Sequence, residues 1–229
     1  MLKLLTTYND DRDGITLLEK INNFNKALAI QNFILLARPQ DIVYVSEAAK
    51  NKFIHDLNFV IDKGLLILEI PWVDNQNWLD LMSDLRAKFP HMQIGSASLI
   101  NKKSIDSSIK LGLNFSMMRF WNKELFIYSK KNNYLLIPGM TTIKDIKEAI
   151  SCKCSTIKIF PVANKDIQLD INKFNQISFV GAGDISINDI SKFKDLGYQG
   201  VVIGSKGYDG NKFDPKIFEI LNISQYKYK

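Results

Sequence analysis

Only two cysteines and two histidines occur in this 229-residue chain, and their placement excludes several kinds of chemistry. Cys152 and Cys154 stand one residue apart with no other cysteine to pair with, so no disulfide framework exists and reduced thiols are expected. His55 and His91 have no ligand-spaced partner, which argues against a bound ion that stabilises an enolate. No metal and no cofactor is expected. Long hydrophobic runs are missing too: Leu65 to Leu68 is closed by Glu69, far short of the ~18 residues of a membrane span. The N-terminus turns acidic at Asp10, Asp11 and Asp13 before any apolar core of a secretory signal, and a cytoplasmic address follows. Glycine and proline are scattered singly, with no linker or low-complexity tract, so residues 1–229 read as one domain. Charge of a single sign is not concentrated anywhere. The net +6 is spread over lysines interleaved with acids, as in Lys144-Asp145-Ile146-Lys147-Glu148, without the aromatic platform that single-stranded nucleic acid needs. Neither nucleic acid nor membrane is an expected partner.

What is present is a folded-protein composition, 46% apolar and 24% charged, with one pattern that recurs. Short apolar runs ending in small or polar residues alternate with amphipathic stretches, as in successive βα units. Eight runs are read as strands: Phe33 to Ala37, Leu65 to Ile70, Met92 to Gly95, Asn114 to Met118, Tyr134 to Ile137, Thr156 to Phe160, Ile177 to Gly181 and Gly200 to Gly204. Helical periodicity lies between them over Glu47 to Lys63, Gln76 to Phe89, Ser104 to Leu111, Ile143 to Ile150 and Ile187 to Leu196. The stretches after the fourth and sixth runs carry weaker helical patterns. Near-continuous aliphatic strands are those of a parallel sheet covered by helices, and eight units closing on themselves make a (β/α)8 TIM barrel of the α/β class. An open doubly wound sheet would place a glycine-rich turn after the first strand, where this chain has Ala37-Arg38-Pro39-Gln40. A further amphipathic segment, Ile15 to Ile30 within an N-terminal extension over 1–32, could cap the bottom of the barrel as an extra helix.

Catalytic groups of such a barrel project from the C-terminal ends of its strands. Two charges interrupt the apolar runs: Glu69, and Lys158 within Ile157-Lys158-Ile159-Phe160-Pro161. Burying either unpaired costs several kcal/mol, about 2 to 7 for a polar group and more for an ion. Desolvation and neighbouring cations lower a lysine pKa, and a neutral amine attacks a ketone to form a Schiff base. A nearby carboxylate can shuttle the protons of that step. The bland alternative is a buried Glu69–Lys158 ion pair that specifies the fold.

Six motifs in register then bring a resemblance into view. Leu68-Glu69-Ile70, Gly95-Ser96-Ala97-Ser98-Leu99, Leu136-Ile137-Pro138-Gly139, Lys158-Ile159-Phe160-Pro161, Gly181-Ala182-Gly183-Asp184-Ile185 and Ile203-Gly204-Ser205 occur in order between about Phe33 and Ser205. The chain resembles the class I 2-keto-3-deoxy-6-phosphogluconate and 4-hydroxy-2-oxoglutarate aldolases, whose motifs are L-E-V, G-A-G-T-V, L-x-P-G, K-F-F-P, P-T-G-G-I and G-G-S. The resemblance implies a lyase, an aldolase that joins or cleaves a C–C bond of a 2-oxo acid to give pyruvate and an aldehyde. It implies Lys158 as the Schiff-base nucleophile and Glu69 as the acid/base. Arg38 matches a position where many members carry an arginine facing the site, and Ser98, Pro138, Phe160, Gly183, Gly204 and Ser205 fall on substrate-binding motifs. It implies a homotrimer as well.

The chain departs from the pattern where members hold the substrate carboxylate and phosphate. Val73 stands in place of an arginine, Ser98 and Ala182 in place of threonines, Asp184 in place of a glycine and Ala163 in place of a glutamate. Arg119-Phe120 replaces a proline-glycine, and Arg119 could supply the missing carboxylate-binding arginine. Asp184 would repel a phosphate dianion, and Lys206 beside Ser205 could offset it. Trp72 and Trp121 lie near strand ends, as packing or as an aromatic mouth. The rival reading is a catalytically retired barrel that binds an oxo acid or a protein without turnover; an isomerase barrel gives Lys158 no role.

Overall fold

The computed structural model describes residues 15–162, 173–174 and 176–226. Strands β1 (Phe33–Leu36), β2 (Ile67–Pro71), β3 (Gln93–Leu99), β4 (Phe115–Met118), β5 (Leu136–Ile137), β6 (Gly139–Met140), β7 (Thr156–Ile159), β8 (Ser178–Gly181) and β9 (Gly200–Ile203) form one sheet. Every pairing in it is parallel, in the order β5-β4-β3-β2-β1-β9-β8-β7-β6. Its two edges, β5 and β6, are consecutive pieces of one stretch of chain separated by Pro138, so the sheet curls until it meets itself. Proline has no N–H to give the ladder, which is why the fifth run breaks there. The Pro138 carbonyl still accepts from the Lys158 N–H at 2.9 Å and carries the seam. The eight expected runs are thus eight barrel positions, the fifth split in two.

The helices are α1 (Leu17–Gln31), α2 (Ile42–Val45), α3 (Glu47–Asp62), α4 (Gln76–Lys88), α5 (Lys102–Lys110), α6 (Lys123–Lys131), α7 (Ile143–Ser151), α8 (Ile190–Asp195) and α9 (Pro215–Tyr226). The weak pattern after the fourth run is α6, whereas most of the stretch after the sixth lies outside the described residues. Asn75, Asn101, Asn122 and Thr142 cap α4, α5, α6 and α7, each side-chain oxygen accepting from the backbone N–H three residues on. These caps follow strands closely and keep the βα loops short.

Alternation along each strand sorts two layers. Ile34, Ile67, Phe115, Met117, Ile137, Val180 and Val202 gather inside the barrel. Leu35, Leu68, Ile70 and Ile94 face outward onto Phe53, Leu57, Trp78 and Leu81 of α3 and α4. The N-terminal helix closes the bottom: Phe24 and Leu28 of α1 are fully buried among the interior residues, with the Phe24 and Phe115 rings 4.8 Å apart. Gly200 makes room for it, since a Cβ there would lie 2.4 Å from Leu28 Cδ1. The helix begins on a Thr16–Glu19 capping box and ends with Gln31 bonded to the Phe33 carbonyl and the Leu66 N–H.

Candidate active site

Lys158 is flanked by Ile157 and Ile159, which belong to the outer layer, so the lysine points into the barrel. Glu69, between the outward Leu68 and Ile70, points inward by the same rule. Counted with β5 and β6 as one position, β2 and β7 have three strands between them in either direction. The two charges therefore face each other across the interior, near the C-terminal ends of their strands. Both are buried, Glu69 at 2% and Lys158 at 7% exposure. Glu69 Oε2 has no hydrogen-bond partner among the described residues, so that oxygen is not engaged in a closed ion pair.

Burial dominates both titrations. It pushes the Lys158 ammonium down to about 8, with Glu69 opposing and Arg119 and then Arg38 assisting. It raises the Glu69 carboxyl above the usual range against the pull of Lys158 and then Arg38. Arg119 is thus felt at the lysine and Arg38 at both groups. At pH 7 a pKa near 8 leaves roughly a tenth of the amine neutral, against less than a thousandth for an ordinary lysine. The Phe160 ring lies 5.9 Å from Lys158 Nζ and shields it from one side.

These groups line a cavity of about 200 Å³ at the C-terminal mouth. Arg38, Ser98 and Arg119 reach it from the ends of β1, β3 and β4, and Phe160 from the end of β7. Gly183 with Asp184, and Gly204 with Ser205, bring the loops after β8 and β9 onto its rim. Pro138 is outside this lining; it is buried at the seam, where its carbonyl holds Lys158 from the backbone side. Val73 packs into the outer core instead of the cavity, and Ala182 offers only a methyl group. Ala163 lies outside the described residues.

Ser98 reaches the cavity through a local irregularity. Strict alternation would turn Ser98 outward, since its neighbour Ala97 lines the cavity. The β3–β4 register shifts between Ser96 and Leu99, and Ser98 takes φ 61, so Ala97 and Ser98 both line the mouth. A bulge re-aims a side chain in this way, at a cost of order 1–3 kcal/mol for a non-glycine residue in the left-handed region. Arg119 is set by close approach: a Cβ on Gly139 would sit 2.0 Å from the Arg119 carbonyl oxygen, so only glycine lets β4 and β6 converge there.

Among the described residues, Leu36, Ala97 and Val202 complete the lining and were not singled out from the sequence, although interior alternation at strand ends points to them. Trp72 and Trp121 are half-buried packing residues: Trp72 lies against the outer cores, and the Trp121 indole donates to Glu148 at 2.8 Å. Cys154 donates to the Thr156 carbonyl and burial raises its thiol to about 12, which leaves it unreactive. Among the described residues, no three His, Cys, Asp or Glu side chains gather as a metal site would need, and no helix is long and apolar enough to cross a membrane.

The family model described as "Aldolase: KDPG and KHG aldolase" matches residues 32–216. Among solved structures, the KDPG aldolase from Legionella pneumophila, with pyruvate captured at low pH as a covalent carbinolamine intermediate, superposes with a TM-score of 0.71. It is 17% identical over 87% of this chain and 97% of its own. The 2-keto-3-deoxy-6-phosphogluconate aldolase from Zymomonas mobilis ATCC 29191 gives the same TM-score and identity over 87% and 95% of the two chains. Thiamine phosphate pyrophosphorylase from Pyrococcus furiosus is similar at a TM-score of 0.63 and 12% identity, over 87% of this chain and 98% of its own. Likeness at these identities is one of fold, which different chemistries share. No curated protein matches the chain.

Proposed function

This chain belongs to the KDPG and KHG aldolase family, and from that premise we propose that Lys158 is the imine-forming lysine of a class I aldolase acting on a 4-hydroxy-2-oxo acid. The observation that carries the assignment is a buried lysine facing a buried carboxyl across a cavity at the C-terminal mouth of the barrel.

The neutral Lys158 amine adds to the C2 carbonyl. Glu69, its acid form favoured by burial, protonates the carbinolamine hydroxyl, which leaves as water and gives an iminium. Glu69, now a carboxylate, takes the proton of the C4 hydroxyl as the C3–C4 bond breaks. The bonding electrons flow into the iminium, an aldehyde departs and the enamine of pyruvate remains. Glu69 returns the proton to C3, and hydrolysis releases pyruvate and the amine. No added cofactor is required by this route.

Arg119 holds the C1 carboxylate in this reading. That carboxylate is one bond from the carbon on Lys158, and Arg119 acts on Lys158 more strongly than Arg38 does. Ser98 adds a hydroxyl on the neighbouring strand, Phe160 packs over the adduct, and Arg38 balances Glu69. Pro138 acts through the backbone of Lys158. The free thiols of Cys152 and Cys154 support a cytoplasmic setting, and the family resemblance supports a homotrimer.

Incubation with pyruvate and sodium borohydride, read by peptide mass spectrometry, tests the assignment. A reduced adduct confined to Lys158 and lost in Lys158→Ala is expected. A folded protein with no adduct would favour the retired, binding-only barrel.

A further inference from the structure

The far half of the substrate meets a carboxylate where an anionic tail would need an unpaired cation. With β5 and β6 as one position, β4 stands opposite β9 and β3 opposite β8. A substrate with C2 on Lys158 and C1 on Arg119, after β4, extends its remaining carbons toward the loops after β8 and β9. Those loops present Asp184 and Ser205 to the cavity. Among the described residues, Asp184 is the only carboxylate in the lining apart from Glu69; its side chain is 83% exposed, and its Oδ1 lies 3.6 Å from Lys206 Nζ. The nearby lysine charge is thus partly offset, by an exposed pair that joins the two loops.

The backbone does not demand this carboxylate. Asp184 has φ 47, a region that asparagine enters as readily and glycine more so. A phosphate on the substrate tail would have to lie beside Asp184 or draw Lys206 away from it, and either arrangement leaves like charges together. Hydroxyl groups face no such conflict: the Ser205 hydroxyl both donates and accepts, the Asp184 carboxylate accepts, and the Lys206 ammonium donates. Among the described residues, the remaining cation of the lining besides Lys158 and Arg119 is Arg38, which acts on Glu69 at the reacting end.

We propose that Asp184, Lys206 and Ser205 form a specificity subsite for an uncharged, hydroxylated tail, so that the aldehyde partner of pyruvate is an unphosphorylated hydroxyaldehyde. This rests on the imine assignment to Lys158. Asp184 and Lys206 act on the tail alone and take no part in bond breaking.

The test is aldol addition of pyruvate to D-glyceraldehyde and to D-glyceraldehyde 3-phosphate, measured as the ratio of the two kcat/KM values within each enzyme preparation, which cancels any inactive fraction. The wild type is expected to favour the unphosphorylated aldehyde by about tenfold or more, the scale of one carboxylate acting on a nearby dianion in a partly solvated site. Asp184→Asn keeps the backbone conformation and should move the ratio about tenfold toward the phosphorylated aldehyde. Lys206→Ala should move it the other way. A wild type that prefers the phosphorylated aldehyde, or a ratio that Asp184→Asn leaves unmoved, overturns the subsite. Borohydride trapping of pyruvate on the same wild-type sample separates the two failures: an adduct at Lys158 with the wrong ratio rejects the subsite alone, and no adduct rejects the imine assignment and the subsite with it.

Discussion

At the scale of single residues, the proposed imine chemistry depends on how far burial moves Lys158. Its pKa near 8 means that the reactive neutral amine grows about tenfold for each unit of pH up to about 8 and then levels off. The rate of pyruvate adduct formation, followed by trapping across pH 5 to 10, should rise and level in that way. The neighbours set the position of the bend. Glu69 raises the lysine pKa, so Glu69→Gln should move the bend to lower pH while slowing the dehydration that needs an acid. Arg119 lowers it, so Arg119→Ala should move the bend to higher pH and raise the KM for pyruvate. A wild-type rate that still rises about tenfold per unit up to about pH 10 would show that the barrel interior leaves the lysine unperturbed.

At the scale of elements, the site depends on two strand defects that a regular ladder lacks. Pro138 breaks the fifth barrel strand, and Gly139 directly after it admits the Arg119 carbonyl. Gly139→Ala would place a methyl group at 2.0 Å from that oxygen, so β4 and β6 must separate. Overpacking of this kind costs about 1–3 kcal/mol, to be read as a lower urea midpoint, and the displaced Arg119 should raise the KM for pyruvate more than it lowers kcat. The other defect, the β3 bulge at Ser98, sits beside a buried hydroxyl chain in which Ser96 meets Ser108 at 2.8 Å and Ser116 at 2.6 Å, and Ser116 meets Tyr134 at 2.6 Å. All four side chains are essentially sealed from solvent and tie β3, α5 and β4 together below the bulge. A fully satisfied polar chain rigidifies its surroundings, and here it fixes the strand whose end carries Ser98.

At the scale of the molecule, the barrel has a cavity at its mouth and a plugged base. Phe24 and Leu28 of α1 fill the bottom of the interior, and the helix is tied to the α6–β5 turn by Lys20, which donates to the Asn133 carbonyl at 2.7 Å. Leu28→Ala should leave a cavity against Gly200 and destabilise by about 2–5 kcal/mol in urea or thermal unfolding. The proposed imine site lies at the opposite end of the strands, so pyruvate trapping by the folded fraction should be retained. Loss of trapping without loss of stability would show that the base and the mouth are coupled. Arrangements of this type explain how one fold serves many reactions: the core and base provide stability, and the strand-end loops carry the function.

Much of this was legible from residue order alone. Near-continuous apolar runs separated by amphipathic stretches specify a parallel sheet covered by helices, because each face of each strand must find an apolar partner. Two charges within such runs point to chemistry, because burying them is costly. The short α2 and the C-terminal α9 were missed, although Asp214-Pro215 is a recognisable helix start, with the Asp214 carboxylate accepting from the Lys216 N–H. Other features depend on distant segments meeting. Ser98 turns inward only because β3 and β4 slip in register, Arg119 nears Lys158 only because the sheet closes through Pro138, and Asp184 meets Lys206 only where two loops converge. Local pattern determines which residues are buried, since that follows from alternation along each strand. Ring closure and strand irregularity determine which of them face one another, because both arise from pairing between residues far apart in the chain.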